Sequence, residues 1–292
     1  MENSDFKIAI IGLGIIGGSM AYALNGFKNA QIYGCDQNPE TREKALSRGA
    51  VHQVSANAKD AIVDADLIIL CTYPETIVNI IKENKGNFKP GAIITDVCGV
   101  KTKLTKKIEE NLPLKCQYVG GHPMAGKETH GFDSAAPELF GMCGFIITPS
   151  HSSTAEGIEL IYKMAQYIGA TRIWTASPEE HDSVIAYTSD LMHVSASALC
   201  LDYNQKMNRA YTAGAFRDCT RIANINPELW SELFLENRSF LLEELETYIN
   251  SLEKFKTAIE EKDGQKLIDL LARVRKNKLE MQAKEPSQKG AE

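Results

Sequence analysis

The stretch KIAIIGLGIIGGSMAYAL at residues 7–24 constrains this 292-residue chain more than any other. Ile8-Ala9-Ile10-Ile11 is an apolar run of strand length, and Met20 to Leu24 continues as a helix. Between them Gly12, Gly14 and Gly17 stand in G-x-G-x-x-G spacing. The first glycine permits a tight turn, the second lets backbone approach a pyrophosphate, and the third brings helix close to sheet. The helix opening at Ile15 and Ile16 offers unpaired N–H groups and a positive dipole end to phosphates. Residues 31–35 read as a second strand. Asp36 closes it about twenty residues beyond the glycines, where an acid binds ribose hydroxyls. A carboxylate there repels a 2′-phosphate, and Gln37, Asn38 and Pro39 supply no cation before Arg42. The pattern therefore predicts NAD in preference to NADP.

Strand and helix patterns then alternate. Residues 39–48 read as a helix with Pro39 at its start, and 67–71 as a strand buried on both faces. Residues 74–85 and 101–111 are helical by period, and 92–95, 117–119, 144–148 and 172–174 read as strands. This order predicts a Rossmann-type, doubly wound parallel sheet over residues 1–176. Its ligand belongs beyond the carboxyl ends of the strands, so Thr72, Asp96 and the loop from Gly120 to Gly131 are expected around one crevice. From Ser177 the buried strand runs stop, and 178–205, 227–262 and 264–284 read as helices. The expected layout is an all-helical substrate and dimerisation domain over 177–284, then a polar tail at 285–292. The apolar stripe of the middle helix (Leu229, Leu233, Leu241, Leu245, Ile249, Leu252) is longer than one small domain needs, which predicts a homodimer through the helical domain.

Composition excludes several classes. A net charge of −6 leaves no basic footprint for nucleic acid. No run approaches eighteen apolar residues and MENSDFK is not a secretory signal, so no membrane is expected. The seven cysteines are scattered, odd in number and without a C-x-x-C pair, which suits reduced thiols in a cytoplasm. Asp, Glu and His are too dispersed for a metal site. The short stretch after the last helix leads us to expect no fused regulatory or mutase domain.

His122, in Gly120-Gly121-His122-Pro123-Met124-Ala125-Gly126, is placed at the mouth of the crevice. There an imidazole can take a hydroxyl proton as hydride leaves the same carbon, and its ordinary pKa suits transfer near neutrality. His52, His130, His151 and His181 show no partner in the sequence, so surface or structural places are expected for them.

The whole set of motifs resembles the prephenate/arogenate dehydrogenases of tyrosine biosynthesis: GLGIIGGS, DVCGVK at 96–101, GGHPMAG at 120–126, SDLMH at 189–193, FRDCTRIA at 216–223, and Pro227 with Trp230. The resemblance implies NAD-dependent oxidative decarboxylation. Hydride leaves the ring carbon bearing the hydroxyl, CO2 is lost, and aromatisation drives the step. The product would be 4-hydroxyphenylpyruvate from prephenate, or tyrosine from arogenate. His122 falls on the family's catalytic histidine and Arg221 on the arginine that binds a substrate carboxylate. His193 matches a further histidine of the substrate pocket. Arg217 and Arg221 stand four apart on one expected helix, a cationic face for a dicarboxylate, with Asp218 at i, i+3 to Arg221. Glu128 would orient a loop or gate the pocket, Lys101 would approach the ring carboxylate or cap a helix, and Trp230 would pack.

Two departures from the family pattern stand out. Relatives carry Ser where this chain has Gly99, so a water, a backbone group or the nicotinamide amide would have to support the histidine. Relatives also often carry a second histidine where this chain has Asp190. A carboxylate there could pair with the ammonium of arogenate, or point at Arg217, Arg221 or water. A β-hydroxyacid or imine dehydrogenase would explain the glycine loop and the helical C-terminal half, and a non-catalytic dinucleotide sensor would explain the loop and Asp36. Neither requires His122 together with Arg221.

Overall fold

The computed structural model describes residues 6–127, 129–202 and 206–284. Eight strands form one sheet: β1 (Lys7–Ile11), β2 (Gln31–Cys35), β3 (Gln53–Ser55), β4 (Leu67–Leu70), β5 (Ile93–Asp96), β6 (Gln117–Met124), β7 (Gly144–Pro149) and β8 (Arg172–Thr175). Their spatial order is β3-β2-β1-β4-β5-β6-β7-β8. Helices α1 (Ile15–Ala23), α2 (Pro39–Ser47), α3 (Ala58–Ile62), α4 (Pro74–Glu83), α5 (Thr102–Asn111) and α6 (Ala155–Tyr167) connect them. Then follow α7 (Pro178–Ile185), α8 (Leu191–Leu201), α9 (Gly214–Thr220), α10 (Pro227–Glu236), α11 (Arg238–Glu260) and α12 (Gly264–Lys284).

The central strands are apolar on both faces because helices cover both. Ile8 and Ile10 of β1, with Leu67 and Ile69 of β4, join the cluster holding Met20, Phe145 and Ile161. Ala9 and Ile11, with Ile68 and Leu70, join the cluster holding Ile77, Ile108 and Tyr118 on the opposite face. Strand order reverses between β1 and β4, and a crevice opens at such a switch point.

Three differences from the sequence reading affect the site. β7 runs antiparallel to β6, with His122 opposite Ile146. Only short 3-10 turns at Phe132–Ser134 and Pro137–Phe140 separate the two strands, and without a crossover helix the chain must return antiparallel. His122 accordingly lies on β6 itself, not in a loop. Gly120 and Gly121 serve close packing there: an added Cβ would stand 2.2 Å from Thr148 Oγ1 and 3.0 Å from Phe145 Cζ, respectively. Third, the expected helix at 227–262 is broken at Asn237, between α10 and α11. The short β3 and α3 had no expectation at all.

The described chain separates into two compact units, Met1–Leu241 and Leu242–Glu292. The second comprises most of α11 together with α12. Ile249, Leu252, Ile259, Ile268, Leu271 and Val274 in it are all at least half exposed. The expected polar tail at 285–292 lies outside the described residues.

Pro178–Leu201, the continuous helix of α7, a π turn and α8, has the length and hydropathy of a membrane span. Two of its acids nevertheless have partners inside the first unit. Asp182 accepts from the Lys101 and Thr102 N–H groups, and Asp190 accepts from Asn237. These bonds turn one face of the helix inward, although only 28% of its apolar window is buried.

At the end of β5 the Asp96 carboxylate is fully buried beside the fully buried Lys101 ammonium, 2.5 Å away. Removing one member of such a pair strands the other charge. Lys101→Met should cost about 3–5 kcal/mol, read as a lower urea midpoint. An unchanged midpoint would mean that no charge pair is present.

Candidate active site

The glycine loop sits at the switch point, between β1 and α1. Gly12 has φ +91°, and an added Cβ would meet the Cys71 carbonyl oxygen at 2.5 Å. At Gly17 a Cβ would stand 1.8 Å from the Gly12 oxygen, whereas at Gly14 nothing lies within 4 Å. The loop is therefore closed below and open at its centre. No side chain caps the start of α1, where Ile15 and Ile16 lie. Asp36 Oδ2 accepts from the Leu13 N–H and Oδ1 from the Asn38 N–H, each at 2.9 Å, which holds the carboxylate at the loop. Arg42 donates to the Asp36 and Gln37 carbonyls at 2.7 and 2.9 Å, so its fork is held by main chain. Thr72 Oγ1 is buried without a hydrogen-bond partner among the described residues. An open centre, an uncapped helix start, a fixed acid and an orphaned hydroxyl together fit a dinucleotide.

His122 is half-buried on β6. Its Nδ1 lies 2.8 Å from His181 Nε2. His181 Nδ1 lies 2.7 Å from Asp182 Oδ1, and Asp182 also receives the Lys101 and Thr102 N–H groups at 2.8 and 2.7 Å. The same carboxylate thus caps α5 and anchors a chain of two imidazoles. The other edge of His122 faces Gly99, where an added Cβ would stand 3.8 Å from both Cε1 and Nε2.

Burial, then the His181 ring, then the Lys101 charge hold the His122 pKa well below its ordinary value. The expected titration near neutrality is corrected accordingly: the ring is neutral. Burial also lowers the His181 pKa, against an opposing pull from Asp182. At Asp182 burial pushes upward, but the bonds from His181 and the Thr102 N–H outweigh it and the carboxylate stays ionised.

His193 lies on α8. Its Nδ1 is 2.9 Å from the Ser189 carbonyl, and its ring stacks on Trp230 of α10 with centroids 3.6 Å apart. Burial, together with the Arg221 charge, lowers its pKa. Twelve positions at 3.6 per turn would leave His193 about a third of a turn out of phase with His181. The π turn at Ala186–Asp190 adds a residue that removes most of this offset. The helix carrying Arg217 ends at Thr220, so Arg217 lies on α9 and Arg221 in the following 3-10 turn. Both arginines are exposed, and both segments pack on α8.

Four expectations change. Lys101 does not reach out to a carboxylate: its ammonium binds Asp96 Oδ2 and the Cys98 carbonyl, because a buried cation needs partners. Asp96 is buried with both oxygens bound inside the protein, Oδ1 by the Tyr118 hydroxyl and Oδ2 by the Cys98 N–H and Lys101. Asp190 faces neither arginine nor water. It is buried, and Oδ2 accepts from Asn237 at 2.7 Å. The support expected for His122 from water, backbone or cofactor at Gly99 is met from the opposite ring nitrogen by His181. Glu128 lies outside the described residues. His181 and Asp182 were missed, although two adjacent polar residues near the start of so apolar a helix signal internal partners. His52 also has one, the Ile32 N–H at 3.0 Å.

A switch-point crevice with this loop and an imidazole at the strand end define a dinucleotide-dependent dehydrogenase. Comparison with known proteins narrows the class. Residues 21–174 match the family model described as prephenate dehydrogenase, nucleotide-binding domain, and residues 177–273 match prephenate dehydrogenase, dimerization domain. A cyclohexadienyl dehydrogenase of Zymomonas mobilis is 36% identical over 269 residues, 90% of this chain and 91% of that one. The prephenate dehydrogenase of Bacillus subtilis is 30% identical over 274 residues, covering 91% and 74% of the two chains. The crystal structure of prephenate dehydrogenase from A. aeolicus with hydroxyphenyl propionate and NAD+ superposes with a TM-score of 0.84 at 30% identity, covering 94% of this chain and 98% of that one. The chain belongs to the prephenate dehydrogenase family.

Two measurements test the site. Gly17→Ala should abolish NADH binding in a fluorescence titration, because the new Cβ and the Gly12 oxygen cannot coexist. Asp190 is raised by burial from 3.8 to about 6. Below about pH 4 both folded and unfolded states hold its proton. Between pH 4 and 6 only the unfolded state ionises, which favours unfolding, and above pH 6 the deficit is constant at up to about 3 kcal/mol. Asp190→Asn should therefore be more stable than the parent at pH 7, the gap closing toward pH 4. A gap independent of pH would place the Asp190 proton elsewhere.

Proposed function

We propose that the chain catalyses NAD-dependent oxidative decarboxylation of prephenate to 4-hydroxyphenylpyruvate. The observation that carries this reading is the His122 ring on β6, with Nδ1 bound to His181 and its Nε2 edge toward Gly99. Gly12, Gly14, Ile15, Ile16 and Gly17 would hold the pyrophosphate, Asp36 the adenosine ribose, and Thr72 the nicotinamide side of the cofactor. Bound NAD+ supplies the hydride acceptor. His122 Nε2 accepts the hydrogen bond of the ring hydroxyl as the carbon–oxygen bond gains carbonyl character. Arg221, with Arg217 behind it, holds the substrate carboxylates by charge-assisted bonds. His193, fixed by Ser189 and stacked on Trp230, forms a wall of the pocket.

Arogenate is the second reading, since Synechocystis arogenate dehydrogenase superposes with a TM-score of 0.78. Asp190 does not favour it, being turned inward on Asn237. The domain boundary near residue 176, the homodimer and the cytoplasmic location complete the proposal. The dimer is supported by the exposed apolar positions of α11 and α12, which water disfavours over a partner surface. The location is supported by seven unpaired cysteines.

NADH formation tests the reaction. Prephenate should give the higher kcat/KM of the two substrates. His122→Asn should lower kcat by about 10²–10⁴-fold while NAD affinity stays close to the parent's, and Arg221→Ala should chiefly raise KM for the substrate. Parent-like kinetics in either variant would remove that residue's assignment. Ile249→Glu with Leu271→Glu should yield monomers by light scattering.

A further inference from the structure

We propose that His181 and Asp182 are positioning residues of the reaction: they fix the tautomer of His122 and take up the positive charge formed when His122 accepts the substrate proton. The inference rests on the reading above for its reaction, but its geometry stands without it.

Hydrogen-bond bookkeeping leaves one arrangement. Asp182 accepts two backbone N–H bonds at the start of α5 and is an ionised acceptor. His181 Nδ1, 2.7 Å away, must therefore be the donor to it. In a neutral ring only one nitrogen carries hydrogen, so His181 Nε2 is an acceptor. The contact of 2.8 Å between Nε2 and His122 Nδ1 then requires His122 Nδ1 to donate. The remaining nitrogen, His122 Nε2, is left with its lone pair beside Gly99, where no side chain intervenes. The base is thus set from behind, by a carboxylate two rings away.

The same chain carries the proton. The ring hydroxyl O–H bond breaks toward His122 Nε2 as the ring carbon becomes a carbonyl and its hydride departs to NAD+. His122 Nδ1 can then pass its own hydrogen to His181 Nε2, leaving His122 neutral and placing the cation on His181, against Asp182. When the C–CO2 bond breaks, its electron pair enters the ring. The phenolic oxygen takes a proton back from His122 Nε2, and His181 returns its hydrogen to Nδ1 of His122. Prephenate and NAD+ become 4-hydroxyphenylpyruvate, CO2 and NADH, with no net proton released. A cation on His122 alone would be half-buried without an anion, whereas on His181 it lies 2.7 Å from one. The other charges facing this pair are Asp96 and Lys101 at the end of β5 and Asp190 farther along the helix.

Nitrogen-15 NMR of the imidazoles in the substrate-free parent reads the tautomers directly. His122 should carry its hydrogen on Nδ1 and His181 on Nδ1, both rings neutral at pH 7. In His181→Gln the kcat should fall by about 10- to 100-fold, less than the ~10²–10⁴ supplied by a positioned base itself. Its KM and NAD affinity should hold within about twofold, and the acidic limb of the pH profile should move. Asp182→Asn should behave alike; if it loosens α5, His181→Gln and the NMR still decide. A hydrogen on Nε2 of His122, or a His181→Gln enzyme with parent kcat and an unmoved limb, overturns the proposal. A parent that oxidises neither prephenate nor arogenate would instead overturn the functional reading, which the tautomer measurement does not depend on.

Discussion

The arrangement depends on one buried carboxylate. Asp182 sits in the second turn of α7 and receives the N–H groups of Lys101 and Thr102 at the start of α5, along with the ring hydrogen of His181. The positive end of α5 favours a negative charge at that point, and the carboxylate in return ties the helical segment to the sheet. Because α5 follows β5 and His122 stands on neighbouring β6, a single group sets the position of α7 relative to the strand ends and the orientation of the imidazole. A neutral amide could cap the helix but could not take part in the same charge balance.

A second buried acid, at the end of β5, is used differently. Asp96 binds Tyr118, the Cys98 N–H and Lys101, whose ammonium is shared with the Cys98 carbonyl. Asp96 is thus paired with a lysine, whereas Asp182 is held ionised by a histidine and two amides. Asp190, the third buried acid nearby, accepts from the neutral amide of Asn237, and burial raises it to about 6. The number and charge of donors separate the three.

Much of the fold was legible. The alternation of apolar runs with helical periods set the sheet, and the glycine spacing set the switch-point crevice, because both follow from local periodicity. Antiparallel β7 was not legible: strand direction depends on whether a crossover helix intervenes, and two short 3-10 turns look like loop in sequence. The break at Asn237 was hidden for a similar reason. Its side chain bonds to Asp190 and the Asp182 carbonyl across the fold, while α10 and α11 read as one period. His122, Arg221 and the glycines could be named because motifs carried them. His181 could not, since its partner is 59 positions away.

Sequence alone thus determined the class of fold, the glycine loop, the acid held beside it and the histidine on β6, all of which are encoded within short windows. Only the tertiary structure decided which charges reach the pocket and which are spent inside. Lys101, Asp96 and Asp190 read as polar groups available to a ligand, yet each is buried and paired. His181 and Asp182 read as ordinary helix-start residues, yet they stand behind the imidazole. The physical reason is that burial and pairing are properties of the packed interior: a charged side chain's role depends on which distant donor or acceptor the fold brings within 3 Å of it.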